Sequence, residues 1–364
     1  MAVLDSLNIE SFRGIKDLKI SEFKSVNLVV GDNNCGKTSF LEAIQLLDAK
    51  GELSNIYKIA RQRESMYFMN ANSNYDNFIC MFPHERDNLE IKVSGVCNGE
   101  PIGLEIIGDE KKVLLDPGEL KYSTIRRNKE IGEELETDAF IGEIYYLYGN
   151  TEARREVRVN RGSGIIGPYA RTPYYNKFVY VAPFEHLKGR VMSKIVRNES
   201  YKQICLKALQ LFDPDIEDMM IFRSDRDNRP VEYLRHKKLG DMPLSTFGDG
   251  IKKVLVLSNA IAQANGGILL IDEIETAIHK KYYDDIFRFI VKACYSFSVQ
   301  VFITTHSIEA IDGVLGTQDY DIQDEEDDIN VITLKKENGK TYTRVLTGRT
   351  AAADREAFGF EVRL

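Results

Sequence analysis

The stretch Gly31-Asp32-Asn33-Asn34-Cys35-Gly36-Lys37-Thr38 fits the spacing G-x-x-x-x-G-K-[ST] with no mismatch. That spacing suits a phosphate. Gly31 and Gly36 accept backbone angles that a side chain forbids. The turn and the helix after it then aim several N–H donors and a positive dipole end at one point. Lys37 is placed to reach the β- and γ-phosphates of a nucleotide, and the Thr38 hydroxyl to ligate magnesium. Asn33, Asn34, Gly36 and Ser39 complete the expected nucleotide contacts.

Three further groups have residue types that could join this chemistry. Asp272-Glu273 follows the apolar run "GILLI". An acidic pair at the carboxyl end of a buried parallel strand lies where such sheets bind ligands. Asp272 is then a magnesium ligand beside Thr38, and Glu273 the base or orienting group for an attacking water. His306 ends another apolar run, "VQVFITTHS", one helix after the acidic strand. There it can donate to the γ-phosphate and position the water, although a histidine after a strand also serves as a plain hydrogen bonder. Gly248-Asp249-Gly250 opens a helix with no lysine in its turn. It reads as a second anion site or as an ordinary helix start.

The elements that position these residues are legible in outline. "SVNLVV" reads as a buried strand into the loop, and Phe40, Leu41, Ile44 and Leu47 recur at helical spacing after it. Residues 50–180 change to short alternating runs, with a hairpin expected around Asn98-Gly99. Residues 191–222 carry apolar positions at helical spacing. From 244 onward helix and strand alternate, which predicts a mostly parallel sheet flanked by helices. No internal repeat, low-complexity tract or long heptad pattern interrupts this.

Composition narrows the class. The 364 residues are 43% hydrophobic and 29% charged, as in an ordinary globular protein with a sizeable core. Five cysteines lie far apart, which indicates neither a disulfide framework nor a zinc site. Cys35 reads as a small packing residue. No charged-then-apolar leader opens the chain. The uncharged run Val254–Ile271 is broken by Ser258, Asn259, Gln263, Asn265 and Gly266-Gly267. A cytoplasmic protein with no membrane span is expected. The net charge of −8 argues against a wholly basic nucleic-acid binder. Basic stretches at 152–162, 187–197 and 223–238 leave DNA or RNA contact open. The acidic stretch 319–328 reads as a solvated loop.

Taken in order, these elements resemble the ATP-binding-cassette (ABC) ATPases of the SMC, RecF and OLD (overcoming lysogenisation defect) group. "GDNNCGKTSFLEAI" resembles their Walker A motif and "ILLIDEIETAIH" their Walker B motif with its following loop. "FGDGIKKVLVL" resembles the signature and "VFITTHS" the switch-histidine loop. "LNIESFRGIKDLKI" resembles their first strand, which implies Arg13 near the nucleotide. The ending "EAFGFEVRL" is similar to small OLD-related ATPases. Gly248 stands where the signature usually has serine, the glutamine loop is not assigned, and residues 50–177 resemble the group only weakly.

The resemblance implies an α/β P-loop ABC-ATPase head with a mostly parallel sheet, an antiparallel β-rich lobe and a helical lobe. One head is expected over 1–364, formed by about 1–50 and 178–364, with a β-rich insertion over 51–177. It implies ATP and Mg2+, with two heads sandwiching ATP so that Gly248, Asp249 and Gly250 of one chain meet the phosphates on the other. The expected function is an ATP-hydrolysing, dimerising switch that controls a protein effector encoded nearby, a nuclease or toxin, in anti-phage defence. The 58 residues after His306 are too few for the Toprim nuclease domain of full-length OLD proteins. A RecF-like DNA-repair clamp is the alternative. A scaffold that binds ATP and sequesters a toxin without turnover is the alternative of another class. A transporter subunit fits less well, and a GTPase lacks N-K-x-D, "NKEI" at Asn128 not being one.

Overall fold

A computed structural model describes residues 4–63, 72–83, 89–114, 136–161, 178–187, 191–224, 227–320 and 326–358. The chain opens with a hairpin, β1 (Leu4–Phe12) and β2 (Ile15–Ile20), before β3 (Val26–Val30) and α1 (Lys37–Asp48). Next come α2 (Leu53–Ala60), α3 (Asn74–Ile79), β4 (Leu89–Cys97), β5 (Glu100–Leu114), β6 (Glu136–Tyr148) and β7 (Thr151–Asn160). After β8 (Phe178–Val181) lie α4 (Met192–Ile195), α5 (Glu199–Gln210), β9 (Ile216–Arg223), β10 (Pro230–His236) and β11 (Gly240–Pro243). The last third is α6 (Asp249–Gln263), β12 (Ile268–Ile271), α7 (Tyr283–Ser296), β13 (Gln300–Thr304) and α8 (Ile308–Leu315). It closes with β14 (Ile329–Glu337), β15 (Lys340–Thr347) and α9 (Gly348–Phe358).

The central sheet has the order β15-β14-β3-β13-β12-β8 and is parallel except at the β14–β15 edge. β3, β12 and β13 are buried at every position. Strands covered on both faces read as continuous apolar runs, as these do. A second sheet, β2-β1-β4-β5-β6-β7, is antiparallel throughout. Its first two strands come from the N-terminal segment. The predicted hairpin joins β4 to β5, with Asn98 at φ 53° and Gly99 at φ 75°, angles that match the right-handed twist of the strands.

α1 lies between the two sheets. Phe40, Leu41, Ile44 and Leu47 share one core with Leu104 and Ile106 of β5 and with Leu270 and Phe302 of the central sheet. A helix sandwiched in this way is buried almost all round, so a charged residue on it needs an internal partner. On the far face of the central sheet, α5, α6, α7 and α8 build a second core.

The helical reading of 191–222 needs correction. α5 ends at Gln210, Pro214 follows, and Ile216–Arg223 is a strand of a three-stranded antiparallel sheet, β11-β10-β9. Proline lacks the N–H that a helix requires. The ladder shifts register between Arg235 and His236, so β9 buries Ile216 and Met219 without the strict alternation that marks a strand.

In the basic stretches, Arg154, Arg155, Arg161, Arg229, Arg235 and Lys238 each face a carboxylate. Positions 162, 188–190 and 225–226 of those stretches, 321–325 of the acidic one, "NKEI" at 128–131 and the final 359–364 lie outside the described residues. No described helix is long and apolar enough to cross a membrane.

Candidate active site

The phosphate loop leaves β3 at Gly31, whose φ of 143° is open only to glycine. A Cβ there would lie 2.2 Å from the Leu334 carbonyl oxygen of β14 and 2.8 Å from Cys35 Sγ. Burial pushes the Cys35 thiol up from its ordinary value, in keeping with a packing role. Gly36, at φ 110°, caps α1 with no side-chain hydrogen bond. The first N–H groups of that helix are thus left to a ligand or water. Asp32, Asn33 and Asn34 are exposed at the rim, and Ser39 is buried on α1.

Lys37 is 7% exposed and folds back over its own loop, donating to the carbonyls of Gly31 at 2.7 Å and Asp32 at 2.9 Å. An ammonium held there is satisfied before any nucleotide arrives. A phosphate in this loop would have to replace these carbonyls as the acceptors of Lys37.

Asp272, 2% exposed, accepts three hydroxyls: Thr38 Oγ1 at 2.9 Å, Thr304 Oγ1 at 2.6 Å and Tyr180 OH at 3.1 Å. Burial and the nearby Asp272 raise the Tyr180 phenol from its ordinary value, so it stays a donor. A hydroxyl and a carboxylate are hard oxygen donors, and together Thr38 and Asp272 fit a magnesium ion. Glu273 turns out of β12 through left-handed backbone, φ 49°, held by its N–H on Thr304 Oγ1 at 2.8 Å. Few non-glycine residues adopt this conformation. Here it leaves the carboxylate 37% exposed beside the loop that follows β12.

His306 follows β13, the strand between β3 and β12, so its loop lies between the phosphate loop and the acidic pair. Its Nδ1 is 3.0 Å from Glu275 Oε1 and 3.9 Å from Glu273 Oε1. Parallel packing thus brings Lys37, Thr38, Asp272, Glu273 and His306 to one end of the sheet. Gly248, Asp249 and Gly250 stand apart. Among the described residues, no hydrogen bond or ion pair joins them to Gly31–Thr38. Gly248 is the N-cap of α6 with open space around it, Asp249 pairs with Lys252 at 2.9 Å, and a Cβ on Gly250 would lie 3.2 Å from the Ala277 carbonyl.

Arg13, expected near the nucleotide, has a partner on α1. It sits in the β1–β2 turn at φ 51°. Its guanidinium holds Glu42, with Nε 2.8 Å from Oε2 as an ion pair and Nη2 donating to Oε1 at 3.3 Å, and Nη1 donates to the Cys80 carbonyl at 3.2 Å. Glu42 is fully buried on α1 and also takes Arg63 at 2.6 and 2.8 Å, while Arg63 donates to Ser39 Oγ at 2.9 Å. Glu42, Arg63, Tyr180, Lys253, Glu275 and Thr304 escaped sequence reasoning. The one available signal was Glu42, a charge inside an otherwise apolar helical run.

Asp213, Asp215 and His236 also lie close together. His236 Nδ1 accepts the N–H groups of Lys238 and Leu239 at 3.1 and 3.2 Å, so Nε2 carries the proton and faces Asp213 at 3.2 Å. Asp215 is paired with Lys238. The cluster satisfies itself.

A family model described as "AAA ATPase domain" matches residues 3–159. A second, described as "AAA domain, putative AbiEii toxin, Type IV TA system", matches residues 166–312. An "ATP/GTP phosphatase" of Helicobacter pylori is 24% identical over 344 residues, covering 87% of this chain and 90% of the relative. A "DNA replication and repair protein RecF" of Heliobacterium modesticaldum is 25% identical over 159 residues, 43% of this chain and 37% of the relative. A solved SMC head bound to the C-winged helix domain of ScpA aligns with a TM-score of 0.49 at 14% identity, covering 96% of this chain and 99% of that one.

Proposed function

We propose that this chain, an ABC-type ATPase of the SMC and RecF group, is an ATP-hydrolysing switch whose two heads close on nucleotide and whose cycle controls a protein effector. One observation carries the reading. The Thr38–Asp272 hydrogen bond at 2.9 Å, with Glu273 and His306 beside each other at the same end of the sheet, gathers candidates for every role of a hydrolytic site except an anion clamp on the far side of the γ-phosphate. The Gly248 turn is the right element for that clamp. It is open and unconnected to its own phosphate loop, so a second chain is its natural source.

In this mechanism the loop N–H groups and Lys37 bind and orient the phosphates. Thr38 and Asp272 would hold magnesium, which would supply neutralisation of the charge that develops on the phosphates. Glu273 orients or deprotonates the water, and His306 holds it against the γ-phosphate. Closure and hydrolysis then alternate as two states of the dimer. A protein effector is favoured over nucleic acid because the net charge is −8 and, among the described residues, Arg154, Arg155, Arg161, Arg229, Arg235 and Lys238 of the basic stretches already face carboxylates. The toxin–antitoxin description of the model matching 166–312 supports a paired, OLD-like defence setting.

The test is complementation between two inactive chains. Gly248→Arg keeps the phosphate loop but blocks the turn, with free space for the side chain in the lone head. Lys37→Ala does the reverse. Random pairing of equal amounts makes half the dimers mixed, each with one intact composite site, so about one quarter of wild-type ATPase activity should return. No recovery from a verified mixed dimer, or normal turnover by monomeric Gly248→Arg, would overturn the shared site. Absence of turnover in the wild type with its effector would favour the scaffold reading.

A further inference from the structure

Glu275 lies two residues beyond Glu273, in the loop that follows β12. The loop is tightly wound. Thr276 N–H bonds the Glu273 carbonyl and Ile278 N–H the Glu275 carbonyl, both at 3.1 Å, while Ile274 N–H reaches the Thr304 carbonyl at 3.2 Å. Glu273 and Ala277 both adopt left-handed backbone, at φ 49° and 68°. This winding turns Glu273 outward and Glu275 inward, where it is 9% exposed.

A buried carboxylate needs partners. Oε1 of Glu275 has two, both from one residue: it accepts the His306 backbone N–H at 3.0 Å and lies 3.0 Å from His306 Nδ1. Oε2 is buried without a hydrogen bond. The opposite charge comes from α6. Lys253 is fully buried, donates to the Pro183 carbonyl at 3.1 Å, and feels Glu275 as its strongest neighbouring carboxylate.

We infer that Glu275 is the positioning residue for His306. It fixes the ring with the proton on Nδ1, which makes Nε2 an acceptor for the attacking water rather than a donor to the γ-phosphate. An acceptor cannot hold a bare imidazole nitrogen, so the 3.0 Å contact requires Nδ1–H. Glu273, 3.9 Å from the same nitrogen, is beyond hydrogen-bond reach and stays available to water. The two glutamates thus divide the work, one held for the water and the other for the histidine. The inference rests on the proposed hydrolytic role of His306 for its functional consequence, but not for its geometry.

Two readouts test it. The first is the tautomer. With five histidines in the chain, the imidazole 15N resonances that disappear in His306→Ala identify this ring. At alkaline pH, where the ring is neutral, the wild type should show Nδ1 protonated and Nε2 bare, the reverse of the form that dominates in solution. Glu275→Gln should shift that balance. A wild-type ring protonated on Nε2 overturns the inference whatever the enzyme does.

The second is kinetic. Glu275→Gln, which keeps the side-chain shape, should lower kcat roughly 10- to 100-fold with KM for ATP within about twofold, the usual scale for a group that orients a catalytic neighbour. In the His306→Ala background the same change should cost no more than about twofold, because the residue it acts through is gone. Equal losses in both backgrounds, or wild-type turnover by Glu275→Gln where His306→Ala is slow, refute positioning. If His306→Ala itself turns over normally while the tautomer is as stated, the proposed role of His306 falls and the Glu275 contact stands.

Discussion

Replacing Glu42 with alanine separates the anchoring of the phosphate-loop helix from its chemistry. Glu42 is fully buried one turn beyond Thr38 and holds two guanidiniums. These differ in what happens when the carboxylate goes. Arg63, with a side chain 45% exposed, can swing into water, a loss of under about 1 kcal/mol. Arg13, 11% exposed, cannot, and burial already lowers its pKa against the opposing pull of Glu42. Stranding a buried charge costs about 3–5 kcal/mol. Glu42→Ala should therefore destabilise the protein by about 4 kcal/mol, read as a drop in the urea midpoint at unchanged slope. In an Arg13→Met background the same substitution should cost only about 1–2 kcal/mol, since the remaining partner reaches solvent. A cost below about 1 kcal/mol in the wild type, or the same cost in both backgrounds, would refute the placement of Arg13 on Glu42.

Gly31→Ala should abolish nucleotide binding and lower stability by about 2 kcal/mol or more, because the new Cβ would meet the Leu334 carbonyl at 2.2 Å in a φ that disfavours it; calorimetric titration with ATP and a thermal melt check both. Glu273→Gln should retain ATP binding, slow hydrolysis by about two or more orders of magnitude and trap a dimer with ATP, which light scattering at saturating ATP would reveal. Asp48 is desolvated at the end of α1, which raises its carboxyl from 3.8 to about 7. Its folded form binds the proton more tightly than the unfolded chain, so its contribution to stability is full below about pH 4 and fades as pH rises through about 7. Asp48→Asn should accordingly stabilise the protein by about 2–4 kcal/mol at pH 8.5 and by little at pH 4, as compared by unfolding at both values.

The sequence by itself determined the parts whose geometry is local. The phosphate loop is eight contiguous residues between a strand and a helix, and the glycines at 31 and 36 dictate its backbone wherever the chain goes next. The Asn98-Gly99 hairpin and the buried runs of β3, β12 and β13 are legible for the same reason, since one short window contains the whole signal. Alternation of those runs with helices also foretold a parallel sheet, because parallel neighbours need a crossover.

Tertiary structure alone decided which side chains meet across long separations. Thr38 and Asp272 are 234 positions apart, and His306 lies 31 beyond Glu275. No window holds both members, so motif spacing could name Asp272 and His306 as candidates without saying which glutamate holds the histidine. Arg13 shows the limit most plainly. A basic residue near the loop is equally compatible with a phosphate and with a buried carboxylate, and only the packing of α1 between two sheets makes Glu42 a partner that must be satisfied. The three-stranded sheet over 216–243 was hidden for a related reason. The register shift erases the alternation in β9, and in β10 two of the alternating buried positions are the polar Glu232 and His236, so cross-strand pairing, which exists only in the folded chain, holds the sheet instead.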